Sequence, residues 1–305
     1  MKVIFIKDNF LVLCVALMLL FPSQTSRAGE TPGYLSVTGP CNLEFPKDHG
    51  AHPGYRTEWW YYTGNLRSKS GELYGFQLTF FRRQINPLRV EKKWPKPKSA
   101  WRTHQIYLAH AAVTDIVGRQ HLQAETLARS ALGIAGVSQL KGETRIFLKN
   151  WMAQISRAAH RLVVTTNEFS YDLTLKPEKP PVMHGRNGYS LKGSTPDRAS
   201  CYYSFTRLET KGTISIGGKT MIVAGLAWMD HEFSTAPLEP GLVGWDWFSL
   251  QLSDNTEIMI YLLRQNEGKP SPASSGTYIR PNGKTRHLSR HDIEVTFTDT
   301  WNSPN

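Results

Sequence analysis

The run Trp228-Met229-Asp230-His231-Glu232-Phe233 places three ionisable residues in a row, directly after an apolar approach from Ala224. Core packing explains such a run poorly, because a buried charge is costly unless it is paired. On a strand, alternation puts Asp230 and Glu232 on one face and His231 with Phe233 on the other. Asp230 and His231 then form no adjacent dyad. An inward His231 could deliver a proton to a bound apolar molecule, while Asp230 could fix the neighbouring strand through Arg or backbone donors. Glu58 opens a second aromatic run, Glu58-Trp59-Trp60-Tyr61-Tyr62. It is either half of an internal ion pair, with Arg56 or a distant Arg, or a site group. His110 shares one face of an alternating run with Ile106, Leu108 and Ala112. It reads as a satisfied structural histidine or as an acid/base group, since His titrates near neutrality without a large shift.

Several chemistries lack their signatures. Asp230, His231 and Glu232 diverge on a strand, and His110 or His184 would have to converge on them from far away, so no metal is expected. No Gly-x-Ser-x-Gly elbow is present, and the glycines at 185, 188 and 193 follow no βαβ strand. No organic cofactor and no nucleic-acid partner are expected.

These residues need strands to position them. Segments 57–66, 73–81, 105–113, 161–166, 171–175, 202–208 and 211–216 alternate or are β-branched and aromatic. Gly217-Gly218 and Asn282-Gly283 mark tight hairpin turns, and 253–256 separates strand 245–252 from 257–264. Segment 121–135 is Ala-rich and is expected to supply a turn or two of helix, limited by Gly133 and Gly136. Without βαβ spacing, the fold class is all-β, with antiparallel strands closed or sandwiched to protect their edges.

Nine Trp, twelve Tyr and thirteen Phe in 305 residues suit a barrel or sandwich core and also the wall of an apolar cavity. Trp59, Tyr61, Trp228, Phe233, Trp245 and Trp247 are the candidate ligand-lining residues. The net charge of +11 is densest between Glu91 and Arg102, where Lys92, Lys93, Lys96, Lys98 and Arg102 surround Trp94 and Trp101. That stretch reads as a solvated loop or a contact with anionic lipid headgroups, and its prolines oppose a regular element. At the N-terminus, Lys2 and Lys7 precede an apolar run over 10–21, and Ser26 and Ala28 offer a cleavage site after Ala28. Export to the periplasm or beyond is expected, with an uncleaved inner-membrane anchor as the alternative. Cys41 and Cys201 would remain; an oxidising compartment permits a bridge, although two cysteines in so large a domain need not be close.

The chain resembles the AttH-like family, whose fold is shared with the carotenoid 1,2-hydratases, also called hydroxyneurosporene synthases. The matching segments are Thr57-Glu58-Trp59-Trp60-Tyr61-Tyr62-Thr63-Gly64, residues 109–115, 148–151, 182–190 and 199–204, then Gly225-Leu226-Ala227-Trp228-Met229-Asp230-His231-Glu232-Phe233 and residues 244–252. The resemblance implies two consecutive lipocalin-like β domains, at 34–238 and 244–305 after a 1–28 signal peptide, the second incomplete at Asn305. In the hydratase branch, the histidine of an Asp-His motif and a Trp two positions later accompany activity. Those positions correspond here to His231 and Phe233, which keeps a π-face but loses the indole N–H. Cys201 stands where relatives tend to have an aromatic, which argues against the bridge. The functional expectation is a binder of a lipid or isoprenoid-like molecule. The alternatives are a cofactor-free hydratase or isomerase acting on such an alkene, and a non-catalytic envelope assembly protein.

Overall fold

The computed structural model describes residues 33–96, 99–266, 268–296 and 298–299; the expected leader at 1–28 lies outside them. Seventeen strands follow one another among the described residues. They are β1 Thr57–Ser68, β2 Leu73–Gln84, β3 Gln105–Asp115, β4 Gln120–Arg129, β5 Ala135–Leu140, β6 Glu143–Leu148, β7 Trp151–Ile155, β8 His160–Thr165 and β9 Phe169–Pro177. Then come β10 Val182–Met183, β11 Tyr189–Leu191, β12 Ala199–Ile216, β13 Lys219–Ser234, β14 Leu242–Gln251, β15 Glu257–Gln265, β16 Ser275–Ile279 and β17 Thr285–Leu288. A single helical turn, α1 Leu88–Glu91, interrupts the β2–β3 loop.

Eleven strands run antiparallel in the order β4-β3-β2-β1-β13-β12-β9-β8-β7-β6-β5 and curl into a nearly closed barrel, with β10 and β11 pairing on β12. A separate, smaller sheet follows the order β14-β15-β16-β17. The all-β expectation holds at this level: a barrel and a small open sheet. Both expected hairpin glycine turns are present, Gly217-Gly218 between β12 and β13 and Gly283 between β16 and β17.

Segment 121–135 departs from expectation. It forms β4 rather than helix, because Leu122, Ala124, Thr126 and Ala128 are half-buried every second residue and three of them pack on the barrel core. The alanine content favoured helix, but the period of two decided the structure.

Alternation sorts β1 cleanly. Glu58, Trp60 and Tyr62 are buried toward the barrel interior, whereas Trp59, Tyr61 and Thr63 are only half-buried on the outer face. In β12 and β13 this contrast disappears near the site: residues 199–208 and 227–233 are buried on both faces. One face looks into the barrel, and the small sheet covers the other through Tyr202, Trp228, Met259, Tyr261, Leu263 and Trp247. That double burial is why the 228–233 run carries no polar-out pattern. Close approach of β1 and β13 also restricts their glycines: a Cβ on Gly225 would lie 2.0 Å from the Asn65 carbonyl oxygen.

Residues 33–56 form a strap over the barrel end where β1 starts and β13 stops. It is held by Leu35 N–H donating to Gly54 O at 2.9 Å, Tyr34 OH donating to Gln84 O at 3.1 Å, and a Cys41–Cys201 disulfide with Cα atoms 5.9 Å apart. The argument against this bridge, taken from the resemblance, therefore fails. The strap carries Cys41 to β12, where both sulfurs pack with Val37, Ala199 and Phe233. Replacing both cysteines by serine is expected to cost about 2–5 kcal/mol, readable as a lower urea midpoint with a steeper slope, because the unfolded chain loses its cross-link.

Candidate active site

The four candidate catalytic residues do not converge. The structure separates them between the two faces of the β1–β13–β12 region and leaves His110 outside both groups.

The inward group sits at the barrel end. Trp60 and Tyr203 are the cross-strand partners of His231, and Glu58 lies two residues before Trp60 on β1. Glu58 Oε1 accepts hydrogen bonds from His231 Nε2 at 2.8 Å and His52 Nδ1 at 2.7 Å. Its Oε2 accepts from Arg82 Nε at 2.7 Å and from the His52 backbone N–H at 2.9 Å. Arg82 also donates to Gln84 Oε1 and to the carbonyls of His52 and Tyr55. Glu58 is therefore the internal ion-pair member that its sequence context allowed, and its partner is Arg82 on the adjacent strand rather than Arg56. Burial alone would raise the Glu58 pKa, but hydrogen bonds from His231 and His52 and the Arg82 charge hold it well below the carboxylate range. Burial opposes the charge on His52 as well. Hydrogen bonds to Asp48 and Glu58 prevail and raise His52 to about 9, so it is an imidazolium at neutral pH.

Proton positions follow from these partners. Burial lowers the His231 pKa, and its neutral ring donates from Nε2 to the Glu58 carboxylate. Nδ1 is then bare and accepts from Tyr203 OH at 3.0 Å. Tyr203 in turn accepts from His49 Nδ1 at 2.7 Å. His49 is also neutral, lowered to about 3 by burial and then by His231. Trp60 stacks on His231 at 4.7 Å, and Phe233 stacks on His52 at 3.7 Å. Phe233 thus packs against the strap and the disulfide.

His52, Glu58 and His231 each present one ligand atom within 4.8 Å of the others. The arrangement fits hydrogen bonding better than metal ligation. Bonds of about 2.1 Å in tetrahedral geometry would hold ligand atoms more than 3 Å apart, against the 2.7 and 2.8 Å found here. Arg82, bonded to the same carboxylate, further disfavours a dication.

The outward group lies between the barrel and the small sheet. Asp230 Oδ1 accepts from Trp228 Nε1 at 2.6 Å and from the Ser204 hydroxyl. Ser204 Oγ accepts from His184 Nε2 at 2.7 Å, which leaves His184 Nδ1 to accept from Thr277 Oγ1 at 2.9 Å. Burial followed by the Lys192 charge lowers His184 to about 3, consistent with that neutral tautomer. The Tyr202 hydroxyl also reaches the Asp230 carboxyl and accepts from Trp247 Nε1 at 3.1 Å. Trp247 meets Trp228 and Tyr61 edge-on, with centroids 6.3 and 5.4 Å away. Burial drives the Asp230 pKa up, and donors from Ser204, Trp228 and Tyr202 only partly offset it, leaving it at about 7. Trp228 and Ser204 both donate to Oδ1, which leaves Oδ2 as the oxygen that carries the proton of the neutral acid. A second buried carboxylate, Glu257, ties the small sheet to the barrel through Lys179 at 2.6 Å and Arg207 at 2.5 Å.

His110 lies on the outer face of β3, half-buried beside Glu125 at 3.6 Å and Phe81, apart from both groups. Among the ligand-lining candidates, Tyr61, Trp228 and Trp247 meet at the junction. Trp59 is half-buried on the same outer face, Trp245 is 43% exposed, and Phe233 belongs to the barrel end. Sequence reasoning missed the roles of Arg82, His52, Tyr202, Tyr203, Ser204 and His184. Tyr202 and Ser204 had one usable signal, a period of two that places them together on one face of β12; that this is the face of Asp230 follows only from the β12–β13 register.

The sequence model of AttH-like proteins matches residues 36–305. The chain belongs to the AttH-like family. Its fold is similar to that of a protein described as an AttH from Nitrosomonas europaea, with a TM-score of 0.76 and 30% identity over 88% of this chain and 79% of that one. It is also similar to kievitone hydratase from Nectria haematococca, with a TM-score of 0.55 and 14% identity over 84% and 71% of the two chains, a likeness of fold alone. No curated protein matches this AttH-like chain by sequence.

The barrel-end network has a pH signature of its own. His52 is raised from 6.5 to about 9 by folding. Its contribution is therefore complete below about pH 6.5 and is lost as pH rises through 9. His52→Gln is expected to lose more stability than it costs at pH 10 when both proteins are compared at pH 6 by chemical denaturation.

Proposed function

We propose that this AttH-like protein is a cofactor-free hydratase or isomerase acting on an apolar, isoprenoid-like alkene at the junction, with Asp230 as the proton donor. One observation carries the reading: a carboxyl raised to about 7 sits among the rings of Trp228, Tyr202, Trp247 and Tyr61. Hydration needs an acid still protonated at neutral pH and π-faces for the carbocation. Asp230 Oδ2–H protonates one alkene carbon, and positive charge develops on the more substituted carbon. Water adds there, and the resulting oxonium returns its proton to the Asp230 carboxylate. The product is a tertiary alcohol, and the acid is regenerated. Loss of a proton from a neighbouring carbon instead gives the isomerised alkene.

Three further lines support the reading. The fold is shared with a hydratase, the chain resembles the carotenoid hydratases, and the interior is aromatic in the manner of a lipocalin-like binder. The carrier reading uses the same rings without turnover. The discriminating experiment incubates the protein with prenyl-chain alkenes in H2(18)O and follows product mass. One 18O per product is expected from hydration, and an alkene of unchanged mass but altered retention from isomerisation; ligand recovered chemically unchanged would leave a carrier. Export belongs to the same proposal, supported by the leader pattern and by a disulfide suited to an oxidising compartment. N-terminal sequencing of protein from its host is expected to start near Gly29.

A further inference from the structure

The loop joining β2 to β3 is used by neither site, yet its side chains are arranged with a clear polarity. Ile85 and Leu88 are 42% and 40% exposed and Trp101 is 63% exposed, all within seventeen residues. Arg89, Lys92, Lys93, Lys96 and Arg102 accompany them. The loop's one carboxylate, Glu91, turns away from solvent. Its Oε1 accepts from Gln84 Nε2 at 2.6 Å, and its other oxygen lies 3.6 Å from His104. Gln84 is itself bonded to Arg82, so the buried barrel-end network anchors the loop. Arg102 lies over the Trp94 ring at 4.9 Å and Arg129 over the Trp101 ring at 5.4 Å, so each of these indoles is paired with a cation. A merely solvated loop has no reason to withdraw its only anion and expose its apolar groups.

We propose that this face, carried by residues 85–96 and 99–102, docks on an anionic phospholipid bilayer. Cations above anionic headgroups with Trp and aliphatic groups entering the interface form the arrangement that such a surface selects. Docking holds whether the protein is a hydratase or a carrier, because an apolar ligand of either is stored in lipid.

The test is flotation of the protein from Gly29 onward, its proposed mature form, with phosphatidylcholine vesicles made with and without phosphatidylglycerol, at low and high salt. Wild type is expected to require phosphatidylglycerol and to detach as salt rises. Lys92→Ala/Lys93→Ala/Lys96→Ala is expected to weaken partitioning about a hundredfold, at roughly fivefold per cation. Trp101→Ser is expected to weaken it further at constant charge. All these proteins lack the N-terminal apolar run, so their partitioning reports the loop, and circular dichroism checks that each variant folds. Three results would overturn the proposal: equal partitioning onto phosphatidylcholine alone, partitioning unchanged in the triple variant, or tighter binding of an RNA oligonucleotide at matched salt.

Discussion

Asp230→Asn is expected to lower turnover by about a hundred- to ten-thousandfold, the range associated with losing a positioned general acid, while substrate affinity changes only a few-fold. Asparagine keeps the shape of the side chain, and its amide oxygen still accepts from Trp228 and Ser204. What it lacks is the proton on Oδ2. An interaction needed only in the transition state lowers kcat and kcat/KM together, so this pattern separates an acid from a residue that merely holds substrate. The pH profile gives an independent reading. Asp230 titrates at about 7 in the folded protein, so wild-type turnover should fall as pH rises through that value. Linkage supplies a second sign. A carboxyl raised from 3.8 to about 7 by folding contributes stability that is complete below about pH 4 and lost as pH rises through 7. Wild-type stability should therefore decline relative to Asp230→Asn across that window. A flat difference between the two proteins would mean that the carboxyl is ionised throughout, and the hydration mechanism would lose its acid.

Much of this arrangement was legible in the sequence, because alternation on a strand is a strict geometric rule. It placed Asp230 and His231 on opposite faces, and the structure finds them in different hydrogen-bond networks for that reason. It could not say which face holds the acid, since β13 is buried on both sides and its polarity gives no direction. Long-range partners were hidden in another way. Arg82 reaches Glu58 only through the β1–β2 register, which pairs them directly, and nothing local to either residue encodes that register. His52 lies on an irregular strap, where no periodicity exists to be read. His110 shows the converse limit. Its alternation with Ile106, Leu108 and Ala112 was real, but the face it marks is the outer one. Periodicity identifies companions on a face; only the closed barrel shows which face is the interior.

The second large effect is expected at Glu58, and it should appear in stability. Glu58→Gln leaves the Arg82 guanidinium and the His52 imidazolium facing a neutral amide, with Glu58 and Arg82 both inaccessible to solvent. Removing one member of a buried ion pair costs about 3–5 kcal/mol, because the remaining charge is left desolvated and uncompensated. Thermal or urea unfolding of Glu58→Gln should show this loss at pH 7. The difference should shrink in acid, because a carboxylate held well below its ordinary range contributes stability above about pH 4.5 and loses it as pH falls. Removing the stranded charge as well, in Glu58→Gln/Arg82→Met, should recover part of the loss, as buried pairs replaced by apolar groups often do. The two substitutions therefore make opposite demands. Asp230→Asn should spare the fold and stop the chemistry, whereas Glu58→Gln should weaken the fold while the surviving folded fraction turns over substrate. If Glu58→Gln instead keeps its melting temperature and abolishes turnover, the reaction belongs to His231 and Glu58 at the barrel end. The junction would then be a packed interface around an acid that does no work.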